Sequence, residues 1–67
     1  MRLFLISPTK PDWPYEILEY DQKHHRAKLR SKEMVMIDPN FYPKELQRDG
    51  FKLTQEVPEC FKEPYHV

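Results

Sequence analysis

A mostly β domain, five antiparallel strands with one short helix before the last strand, is the fold class this sequence predicts. Three observations carry it. Apolar residues fall in short segments with strand-like alternation and none with a sustained helical period. Seven prolines and a single glycine punctuate those segments, which favours rigid connectors over tight glycine turns. The one helix-like stretch lies between Pro43 and Gly50, with proline in its first turn and glycine just past its end.

Arg2 to Ser7 reads as the first strand, followed by a connector stiffened by Pro8, Pro11 and Pro14. Trp13 to Asp21 and Arg26 to Lys32 read as a hairpin around Gln22-Lys23-His24-His25. A four-residue loop built on a type I turn needs no glycine. Pairing Asp21 with Arg26 puts Tyr20 opposite Ala27, Glu19 opposite Lys28, Leu18 opposite Leu29 and Ile17 opposite Arg30. One face then gathers Leu18, Tyr20, Ala27 and Leu29, and the other gathers charges of opposite sign.

Met34 to Ile37 is a continuous apolar run, expected of a strand buried on both faces or of a barrel interior. Pro43 to Asp49 is the helix. With Gly50 at C′, Phe51 falls at C″ and Leu46 at C3, the pair that closes a Schellman ending. Phe51 to Val57 is the last strand. Residues 1–58 are expected to form one small domain, with 59–67 a tail that docks or frays. The element order resembles an SH3-like small barrel in architecture, with an α+β meander as the other arrangement. No motif carries residues over from that fold, and a fold by itself says little about function.

The chain is 67 residues long, 39% hydrophobic and 33% charged, with eleven basic and eleven acidic side chains. Such a chain buries only about 60% of the surface its unfolded form exposes, so its core is marginal. Cys60 is its only cysteine, which excludes an internal disulfide. Nine aromatics are the expected compensation, and self-association is another. No apolar run approaches the roughly 18 residues of a membrane span, and the N-terminal run is too short for a secretory h-region. A cytoplasmic location with no membrane partner is therefore expected.

Charge is uneven along the chain. Residues 1–32 hold seven basic and four acidic groups, a net of +3, and residues 33–67 hold a net of −3. Lys23, Arg26, Lys28, Arg30 and Lys32 lie in an acid-free stretch, and the last four alternate along one strand face. Flanked by Trp13 and Tyr15, they make a candidate nucleic-acid stripe. In the inferred register Asp21 and Glu19 neutralise half of it, leaving Arg30 and Lys32 opposite Ile17 and Tyr15.

Other chemistry is poorly served. His24 and His25 are adjacent and point apart in an extended chain, and no ligand spacing links them to Cys60 or His66, so no metal or cofactor is expected. Cys60, Ser7 and Ser31 are the nucleophile candidates. Only Cys60 has a nearby cation, Lys62, and a possible base, His66, both on a proline-broken segment. No catalytic residue is assigned. The expected function is a non-enzymatic module that binds another protein or a copy of itself. The candidate contacts are Trp13, Phe41 and Tyr42, one of the last two buried and the other left at the surface. The alternative is a nucleic-acid-binding barrel using the basic strand.

Overall fold

A computed structural model describes residues 2–62. It has strands β1 (Phe4–Ile6), β2 (Tyr15–Asp21), β3 (Arg26–Arg30) and β4 (Val35–Asp38), then helix α1 (Pro43–Arg48) and strand β5 (Lys52–Thr54). A 3₁₀ turn over Glu59–Phe61 follows. All five strands lie in one antiparallel sheet of order β4-β3-β2-β1-β5. The mostly β class and the helix before the last strand are as the sequence predicts. The strands are shorter than the apolar segments suggest. Strands β4 and β5 form the two edges, and no ladder joins them among the described residues.

The hairpin of β2 and β3 keeps the expected register for three pairs, Asp21 with Arg26, Tyr20 with Ala27 and Glu19 with Lys28. It then slips. Leu18 has no partner, Ile17 pairs with Leu29, and Glu16 pairs with Arg30. This bulge corrects the expected placement of Leu18 in the core and of Ile17 opposite Arg30. The extra residue turns Ile17 onto the Leu29 side and leaves Leu18 41% exposed. Strict alternation would instead have held Glu16 away from Arg30.

One face of the sheet carries the main core. Leu5, Ala27, Leu29 and Phe41 are buried together, with Tyr15, Ile17, Met36, Leu46, Phe51 and Leu53 packed against them. Phe41 reaches this face from the turn after β4, where its N–H donates to the His25 carbonyl at 2.7 Å. Its ring meets Tyr20 edge-on at 5.3 Å. The other face has a smaller cluster at one end. Phe61 is 6% exposed and packs on the fully buried Phe4, with ring centroids 5.6 Å apart. The segment through Lys62 is thus held against the sheet, and residues 63–67 of the expected tail lie outside the described residues.

Helix α1 ends as its sequence requires. The Phe51 N–H donates to the Leu46 carbonyl at 2.9 Å and the Gly50 N–H to the Gln47 carbonyl at 3.1 Å, the two bonds of a Schellman motif. Gly50 has φ +101°, and a Cβ there would sit 3.3 Å from Pro8 Cγ. Gly50→Ala is therefore expected to lower stability by about 1–3 kcal/mol, measured by urea unfolding. An unchanged midpoint would show that this ending is not strained by a side chain.

Strand β4 departs from expectation. Its apolar run predicts burial on both faces, yet only Met36 packs against the core, while Val35 is 50% and Ile37 58% exposed. The reason is position. As an edge strand whose outer face no described residue covers, β4 buries only the residues that share a side with Ala27 and Leu29.

Candidate interaction surface

The basic strand β3 is more fully paired than its sequence suggests. Glu16, 7% exposed, lies between two guanidinium groups. Arg2 Nε donates to its Oε2 at 3.0 Å and Arg30 Nη2 to its Oε1 at 2.7 Å. The Arg2 hydrogen bond above all, then that from Arg30, holds the Glu16 carboxyl below its ordinary value, against the opposing effect of burial. Both guanidinium groups also lie over phenyl rings, Arg2 on Phe4 at 5.1 Å and Arg30 on Phe61 at 5.0 Å. The cluster ties β1, β2, β3 and the C-terminal turn together.

The rest of the stripe is scattered. Arg26 reaches Asp21 at 4.0 Å, and Lys28 stands opposite Glu19 in the ladder. Lys32 leaves the strand and sets its ammonium 5.0 Å from the centre of the Trp13 ring. Lys23, on the turn after β2, makes no ion pair among the described residues. The five cations therefore do not share one open face. Asp21 also accepts from His24 Nδ1–H at 2.8 Å, and that bond holds its exposed carboxyl below the usual range.

Trp13 is half-buried and sits beside a hollow of about 320 Å³ between the proline connector and the C-terminal turn. Pro11, Pro14, Lys32, Pro58 and Cys60 are among its lining residues. Cys60 is exposed there, and His66, the base considered for it, lies outside the described residues. The Ser7 hydroxyl is within 3.1 Å of Thr9. Ser31 closes the connection from β3 to β4, its Oγ accepting from the Glu33 and Met34 N–H groups. No cluster of three or more metal-ligating side chains occurs among the described residues.

Of the paired aromatics, Phe41 is 1% exposed and offers a partner nothing, whereas Tyr42 is 37% exposed. Tyr42 stacks on His25 at 4.5 Å between ring centres, and His25 holds φ +55° to make that turn. Tyr42 is thus a pre-ordered surface ring at the end of the sheet. Sequence reasoning missed the surface that stands out most. Met34, just before β4, and Val35 and Ile37 on it are 50–58% exposed, next to an open hollow of about 370 Å³ that Ile37, Lys28, Glu19 and Arg26 help to line. No local pattern signals it, because Met34 to Ile37 reads as a buried run until its place at the edge of the sheet is known.

No known protein family, curated protein or solved structure matches this chain. Among the described residues no helix is long and apolar enough to cross a membrane.

Proposed function

We propose that this chain is a small non-enzymatic binding module that works through protein–protein contact or self-association. The observation that carries this reading is its uncovered apolar surface. Leu18, Tyr20, Met34, Val35, Ile37 and Tyr42 are all more than a third exposed, against six buried hydrophobic core residues among the described residues. Exposed apolar side chains grouped on a small protein mark an interaction site, and those of β4 and the Tyr42 ring are held in place by the sheet and by His25. Trp13, with Lys32 over its ring, is a second contact candidate beside the proline connector.

A photo-crosslinking amino acid placed at Val35, at Tyr42 or at Trp13 tests the reading in the protein's native cells. Adducts to the same protein, or to the chain itself, from Val35 or Tyr42 are expected, with none from the exposed helix position Lys44. Equal adducts at all positions, or none at all, would remove the reading. Nucleic-acid binding is the competing outcome. It requires a binding constant for mixed DNA and RNA that falls steeply with salt and weakens when Lys23→Ala and Lys32→Ala are combined. The ion pairs of Arg26 and Arg30 work against it.

A further inference from the structure

The exposed edge of β4 has a feature that its side chains alone do not show: its backbone is in phase with itself. The Ser31 N–H donates to the Met34 carbonyl at 2.8 Å, which makes that a hydrogen-bonded pair at the start of the β3–β4 ladder. Pairs alternate from there. Arg30 with Val35 and Lys28 with Ile37 are then the non-hydrogen-bonded pairs, so the N–H and C=O groups of Val35 and Ile37 point away from β3. Those same two residues put exposed apolar side chains on the outer face. The opposite edge, β5, is only three residues long and carries Lys52, the kind of edge that resists pairing.

We infer that β4 pairs with β4 of a second copy, antiparallel about a two-fold axis through Met36, joining two five-stranded sheets into one. The inference rests on the binding-module reading and names the partner of its largest surface. Centring on Met36 sets Val35 opposite Ile37 of the copy, and Ile37 opposite its Val35, so all four outward-facing residues bond. Centring on Ile37 would put Val35 opposite Pro39, which has no N–H to give. Centring on Val35 would set the Glu33 carboxylate against Ile37. Only the Met36 register uses every available group.

Charge agrees with this occupant. In the Met36 register Asp38 meets Met34 of the copy and not its own image, so no like charges stand opposite each other. The chain as a whole has a formal net charge of zero, so two copies are not held apart by net repulsion. On the outer face Val35 and Ile37 of both copies form one apolar patch across the joint. The surface is small. A four-residue edge covers much less than the roughly 800 Å² per partner of a standard interface, so the dimer is weak and reversible, with a dissociation constant of the order of 100 μM.

Sedimentation velocity on the purified protein from about 20 μM to about 1 mM tests this range directly. A reversible monomer–dimer equilibrium is expected, weakened at least about tenfold by Val35→Lys, a charge on the joint that leaves the core untouched. The register is tested in a Cys60→Ser background. Met36→Cys is expected to give a disulfide-linked dimer on mild oxidation, because non-hydrogen-bonded partners have Cα atoms about 4.5 Å apart, within disulfide reach. Ile37→Cys in the same background is expected not to, since its own image lies two residues out of register. A wild-type chain that stays monomeric at the top of the range overturns the inference, as does equal crosslinking at both positions. Should self-pairing fail while crosslinking from Val35 still captures a different protein, the module reading stands and the second copy does not. Failure of both removes both.

Discussion

Phe41→Ala is expected to cost about 3–5 kcal/mol, the usual effect of removing a fully buried phenyl ring. A domain of this size has a total stability of roughly 3–10 kcal/mol, so the variant is expected to be substantially unfolded at 25 °C or to melt far below the parent. The ring is 1% exposed, touches the Leu5, Ala27 and Leu29 core, and meets Tyr20 edge-on. It also anchors the turn whose N–H bonds to His25. Far-UV circular dichroism through a urea titration checks it. Tyr42→Ala, next in the chain but exposed, is expected to change the midpoint by less than about 1 kcal/mol. Equal losses from the two would mean that Phe41 is not the core residue its burial makes it.

Glu16→Ala is expected to destabilise by about 2 kcal/mol, between the small effect of a surface pair and the larger one of a buried pair. The carboxylate is nearly buried, but the side chains of Arg2 and Arg30 are 41% and 42% exposed, which softens the loss. What makes it more than a surface effect is the Arg30 guanidinium, whose Nε is buried without a hydrogen-bond partner among the described residues. Removing Glu16 takes away the anion that compensates it.

The same pair gives a pH dependence. Because the folded Glu16 carboxyl lies below its ordinary value of 4.5, its contribution is present at higher pH and is lost as pH falls from about that value through its folded one. Stability of the parent is expected to fall below about pH 4.5. Glu16→Gln is expected to start lower at neutral pH and to lose less on acidification, with the exposed Asp21–His24 pair accounting for part of what remains. A variant whose acid profile runs parallel to the parent's would show that Glu16 does not carry this dependence.

Much of the fold was legible because the features that set it are local. The proline at the first helical turn, the glycine after it and the Leu46–Phe51 spacing specify α1 and its ending through bonds that span six residues. The hairpin turn without glycine, and the three pairs beside it, follow from alternation and from opposite charges facing each other. The contrast between Phe41 and Tyr42 was legible only in part. Their adjacency implies that one is buried, but which one depends on the turn taken after β4.

The surface was harder to read, because its contacts join residues distant in sequence. Glu16 was unremarkable as an acid in an alternating strand, because the slip at Leu18 that brings it to Arg30 costs or gains only through contacts with Arg2 and Arg30, distant in sequence. The basic stripe looked half open for the same reason. Trp13 and Lys32, nineteen positions apart, meet only once the connector has folded over the sheet.

By itself the sequence determined a single-glycine, proline-punctuated β domain, the place of its helix, and a charge balance that splits into a basic and an acidic half. Local periodicity and turn chemistry act over a few residues, so they survive without any knowledge of neighbours. The tertiary structure alone decided that the apolar run Met34–Ile37 is an edge and not an interior strand. Whether a strand has one neighbour or two is fixed by how β5 returns to pair with β1, a contact between residues about fifty positions apart that no local pattern encodes.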